Sequence, residues 1–183
     1  MDLKVLRGQR IQNQLDEDST YNQLYTGIVQ GFPGTQKRQN ATGSVIVRRV
    51  SYVPYINDSV LRVESIVNSG PNKYEPVIMF RGVEFKDTAV GNAVTIRAAD
   101  GQEYNITPIS LAGSRLKVRC GCLDFYHRFS TQNFADGSLE GNPPPPYQDR
   151  DPNRGPANPT QTPGVCKHLI KLVQEMKKSG IVT

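Results

Sequence analysis

The stretch Arg115-Leu116-Lys117-Val118-Arg119-Cys120-Gly121-Cys122 decides how the rest of the chain is read. Charged and apolar residues alternate along it, and a period of two marks a half-buried strand. A strand places Leu116, Val118, Cys120 and Cys122 on one face and Arg115, Lys117 and Arg119 on the other. Both thiols then point toward the core side. Two thiolates on one tetrahedral metal, bonded at about 2.3 Å, hold their sulfurs about 3.8 Å apart. That is closer than i and i+2 on a flat strand, and Gly121 permits the bend.

Forty-three residues further on stands Cys166-Lys167-His168, so the two motifs take up all three cysteines and one of the two histidines. Three thiolates and one imidazole make a complete tetrahedral set for Zn²⁺. Val165, Leu169, Leu172, Val173 and Met176 follow helical spacing, predicting a helix over 165–178. Thr162 and Pro163 suit its N-cap and first turn, and Lys177, Lys178 and Gly180 suit its end. Positions i and i+2 diverge inside a helix. Cys166 therefore belongs at or before the helix start, with His168 in the first turn. A helix N-terminus favours thiolate. The loaded site would carry about −1, which Arg119, Lys167 and the helix end can offset. Two alternatives stay open: three reduced cysteines packed as small core residues, or a disulfide, which the odd count disfavours. With four protein ligands there is no open coordination position, so the expected role is structural and not enzymatic.

Between the two motifs, residues 123–163 hold 8 of the 13 prolines, including Pro143-Pro144-Pro145-Pro146. Proline cannot donate to a ladder or helix, which predicts a mostly irregular loop tied down by the metal. The proline run suits a polyproline II ligand or a stiff spacer. Phe125, Tyr126, Phe129 and Phe134 are expected to pin the loop, with base stacking as the alternative. Asp124 and His127 are read as turn caps or ligand supports. No deaminase signature, His-Glu-x-x-His, nucleophile elbow or phosphate loop is present.

On the N-terminal side, short Val/Ile/Tyr/Phe runs broken by turn residues predict strands near 44–53, 59–68, 74–85, 93–98, 103–107 and 115–120. Asp100-Gly101 is a hairpin turn, and Gly82 marks a bulge in the third run. The spacing suggests a small antiparallel sandwich or barrel. Residues 1–43 are polar, with Val5, Leu6, Ile11, Leu15, Leu24, Ile28 and Phe32 scattered singly. They are expected to form an arm, with one short helix at most, that orders only against partners. The organisation expected is a polar arm (1–43), an antiparallel β domain (44–119), and a zinc-binding loop with a C-terminal helix (120–183). The fold class is α+β.

Composition narrows the function. The chain has 183 residues, 37% of them hydrophobic, and a net charge of +5. No apolar run approaches the roughly 20 residues of a membrane span, and the start lacks a signal-peptide core. A membrane or secreted protein is not expected. The positive charge is spread along the chain, with no concentration that would mark a phosphate-binding surface. Arg115, Lys117 and Arg119 remain the candidate contacts for a nucleic-acid-binding alternative.

Cys-x-Cys followed by a variable loop and Cys-x-His at a helix start resembles the SWIM-type zinc finger, over residues 120–168. That resemblance implies a DNA-binding or protein-interaction module. Cys120-Gly121-Cys122-Leu123-Asp124-Phe125, Asn158-Pro159 and Val165-Cys166-Lys167-His168-Leu169 also look like stretches found in virion structural proteins of tailed bacteriophages, over roughly residues 70–180. This second resemblance implies a non-enzymatic part of a head-tail connector, tail or baseplate. Its partners would be other virion subunits, copies of itself included, and its location the virion, assembled in the host cytoplasm.

Overall fold

The computed structural model describes residues 18–34, 44–145 and 155–183. Strands β1 (Val45–Tyr55) and β2 (Val60–Ser69) form a long hairpin around a 3₁₀ turn, Ile56–Asp58. The far side of β2 is shared by β3 (Asn72–Tyr74) and β4 (Val77–Arg81), and β8 (Leu116–Arg119) pairs with β4. All these pairings are antiparallel, in the order β1-β2-β4-β8 with β3 beside β2. Register follows burial: Leu61 faces Phe80, Val63 faces Ile78, and Ile78 faces Val118. All five side chains are fully buried.

A second, smaller sheet holds β5 (Phe85–Lys86), β7 (Glu103–Ile106) and β6 (Val94–Arg97), in the order β5-β7-β6. The hairpin between β6 and β7 turns at Asp100-Gly101 as expected, with Gly101 at φ 83°. The single run expected at 74–85 is instead three strands. Gly82 stands between β4 and β5 at φ 68°, where a side chain would be strained.

Helices supply the α component of this α+β fold: α1 (Tyr21–Gly31), α2 (Leu123–Arg128), α3 (Ser130–Asp136) and α4 (Lys167–Lys178). Helix α4 lies against β1 and β2. It buries Leu169, Ile170, Leu172, Val173 and Met176. At about 1.5–3 kcal/mol per side chain, this gives on the order of 10 kcal/mol of gross stabilisation before ordering costs. After it, Ile181 and Thr183 exchange backbone hydrogen bonds with Ile109 and Leu111. Among the described residues no helix is long and apolar enough to cross a membrane.

Two expectations are corrected here. The described part of the arm, 18–34, is no arm. Tyr21, Leu24 and Ile28 of α1 belong to the same buried core as the sheet and α4. Thr20 and Gln23 form a reciprocal capping box at the start of the helix. The remainder of the arm, 1–17 and 35–43, lies outside the described residues. The segment 123–163 is not irregular throughout either, because α2 and α3 occupy its first part. That part, 123–142, contains no proline.

Candidate metal centre

Cys120 directly follows the end of β8, and Cys122, two residues on, is the N-cap residue of α2. The Cys122 Sγ accepts a hydrogen bond from the Phe125 N–H at 3.3 Å. Cys166 is the N-cap of α4, and His168 lies in its first turn. The cap thus falls on Cys166 and not on Thr162-Pro163, because the residues before it bond elsewhere.

The metal-ligating atoms of Cys120, Cys122, Cys166 and His168 all lie within 4.8 Å of one another, and all four residues are buried. His168 presents Nδ1 to the cluster, 3.7 Å from Cys120 Sγ and 3.9 Å from Cys166 Sγ. A tetrahedral ion with bonds near 2.3 Å to sulfur and 2.0–2.1 Å to nitrogen would set such separations at about 3.6 Å. The four side chains are close enough to hold a metal ion. The expected placement of Cys166 at the start of the C-terminal helix, with His168 in its first turn, is met, whereas Gly121 does not use the left-handed backbone open to glycine.

The three thiols of the bare cluster influence one another strongly. Hydrogen bonds from Cys120 and Cys166 hold the Cys122 thiol far below the usual thiol range. The bond to Cys122 pushes Cys120 up, and burial pushes Cys166 up. A bound cation would replace this sharing of protons and let further thiols ionise, so binding releases protons.

Tyr74 is a residue that the sequence did not single out. Its ring stacks on His168 with centroids 4.2 Å apart and planes 30° from parallel. Strand β3 exists only as a three-residue pairing on β2, and its last residue orients the imidazole. No spacing marks one tyrosine among eight for this task. The far nitrogen of the ring, Nε2, is buried without a hydrogen-bond partner among the described residues.

The segment between the ligand pairs is held by asparagines. Asn133 of α3 bonds Gly164 twice, accepting from its N–H at 2.8 Å and donating to its C=O at 3.0 Å. Asn158 donates to the carbonyls of Arg128 and Thr162 and accepts from the Thr162 N–H. Phe125 and Phe129 are buried, whereas Phe134 is 49% exposed and pins nothing. Asp124 forms an i,i+4 ion pair with Arg128 at 3.2 Å.

The basic stripe has local work. Arg115 donates to the Asp18 carbonyl at 2.6 Å. Arg119 donates to the carbonyls of Glu140 and Asn142 and lies 3.5 Å from the Glu140 carboxylate. Arg119 is thus engaged by Glu140 and Asn142. Lys117 lies half-buried on the same face.

No family model matches this chain, no curated protein matches its sequence, and no solved structure matches its fold.

Proposed function

We propose that Cys120, Cys122, Cys166 and His168 bind one Zn²⁺ as a structural cross-link in a non-enzymatic component of a multi-subunit assembly. The observation that carries the metal reading is the convergence of four buried donors from two motifs 43 residues apart. Thiolate and imidazole are soft to borderline ligands and suit zinc over magnesium or calcium. Four protein ligands complete a tetrahedron and leave no position for a substrate or an activated water.

The assembly we propose is a tailed-phage virion, with other virion subunits and further copies of this chain as partners. The reading rests on the motif resemblance. It draws support from what the shared residues do here. Phe125, Val165 and Leu169 are core residues, and Asn158 is the hydrogen-bonding hub of the loop. All are packed or hydrogen-bonded within the fold. Against nucleic-acid binding as the primary role, Arg115 and Arg119 already donate to the chain's own carbonyls.

Elemental analysis of protein purified without chelator tests the metal, with one zinc per chain expected. Absence of metal together with reactive thiols rejects it. Mass spectrometry of purified virions and the size of the particle formed in solution test the assembly. A monomer that binds DNA with a steep salt dependence would favour the SWIM-like alternative instead.

A further inference from the structure

Helix α1 is held at its two ends by different parts of the molecule. Its N-terminal end belongs to the sheet. Thr20 bridges Arg115, the Leu116 N–H donates to the Ser19 carbonyl, and the Asn22 N–H donates to the Leu111 carbonyl. Arg81 of β4 pairs with the buried carboxylate of Asp18 at 2.8 Å. Ser19 also reaches Asp136, beyond which Ser138 is bonded to Val118 of β8. None of these contacts passes through the proposed zinc ligands.

The C-terminal end of α1 rests on the segment that leads into Cys166. A Cβ at Gly27 would stand 2.7 Å from Thr162 Cγ2, and one at Gly31 would stand 2.9 Å from Thr160 Oγ1. A Cβ at Gly164 would run into Ile28 and approach Phe129 to 2.8 Å. The two segments therefore touch backbone to side chain, with no room for a methyl group. Phe32, just beyond α1, meets the Phe129 ring edge-on at 5.8 Å and lies 5.1 Å from the Arg128 guanidinium. Residues 158–164 are positioned from one side by Asn133 and Asn158 and from the other by Cys166.

We infer that the metal centre controls the docking of the C-terminal half of α1, so that metal loss frees residues 27–34 while residues 20–24 stay on the sheet. This rests on the zinc reading above and goes beyond it, because α1 contributes no ligand. The helix would then be held at its N-terminal end by the sheet and released at its C-terminal end.

Hydrogen exchange on the full chain, with its metal content measured first, tests this. After treatment with a chelator, exchange in 27–34 should rise by more than about tenfold, while 20–24 and 60–81 change by less than about threefold. Asn158→Ala provides a second route, since it loosens the loop without touching a ligand. It should keep one metal per chain and still raise exchange in 27–34. Confirmed metal removal with unchanged exchange in 27–34 overturns the inference, and so does uniform loss of protection across α1 and the sheet. A chain that binds no metal defeats the zinc reading and removes metal control, whereas the Asn158→Ala result then reports on the loop–helix contact alone.

Discussion

The two halves of this molecule are stabilised in different ways. The five-stranded sheet is held by a continuous ladder and by side chains that alternate between core and solvent, so its order is spread over many small contributions. The described residues between 120 and 166 have little ladder of their own. They depend on a few strong points: four side chains close enough to hold a metal ion, the Asn133–Gly164 pair and the Asn158 hub. Distributed stabilisation fails gradually and locally, whereas point stabilisation fails at once when a point is lost. The same contrast explains why the sheet shows a clear sequence pattern and the loop does not.

The largest test of this contrast is metal removal or His168→Ala. Structural zinc is worth on the order of 10 kcal/mol of apparent binding energy. Closing a loop of this length costs several kcal/mol. Proteolysis should then cut within 123–165 and release α4, while 60–107 resists. Equal resistance with and without chelator would mean that the asparagines and core contacts suffice. Phe80→Ala attacks the distributed half. Phe80 is fully buried between β2 and β8. The expected cost is about 3–5 kcal/mol, read in denaturant unfolding with metal retained. Loss of metal in that variant would show that the two halves are not separable.

Asn133→Ala should cost about 2 kcal/mol, because it strands both polar groups of the buried Gly164 backbone. Its signature is faster metal release at an unchanged one-to-one stoichiometry. Thr20→Ala removes a capping-box partner, and a cost of about 1 kcal/mol is expected in thermal unfolding. The smallest effect is a pH slope. Burial raises the Asp18 carboxyl above its ordinary value despite the nearby Arg81, so the folded chain holds that proton more tightly than the unfolded one. The favourable contribution is complete below the ordinary carboxylate range and fades as pH rises through the raised value. Stability curves of the native chain and Asp18→Asn should converge or diverge across that window, and parallel curves would discount the burial effect.

Much of the sheet and nearly all of the ligand geometry could be read in the sequence. Alternation along 115–122 and helical spacing along 165–176 are local signals that tertiary structure did not override. What was missed also left traces. Leu24, Ile28 and Phe32 are four residues apart, and Thr20-Tyr21-Asn22-Gln23 is a capping box, so α1 was written in a segment dismissed for its polarity. Helices α2 and α3 were hidden by averaging proline content over 123–163. Tyr74 left no trace, since its role depends on where β3 falls in space and on no pattern of its own.

The packing of Ile28 against Gly164 has a consequence for the order of events during synthesis. The two residues stand 136 positions apart. At about 5–20 residues per second the ribosome takes roughly 7–27 s to make the partner of a helix it has already made. Throughout that interval the apolar face of α1 lacks half of its cover, and so do the strands that α4 will later overlie. The last thirty or so residues complete the core and also complete the ligand set. A chain truncated before Cys166 would therefore lose two of the four clustered donors, its α4 packing and the seat of α1 together. Such a product would leave uncovered the faces of β1 and β2 that α4 overlies.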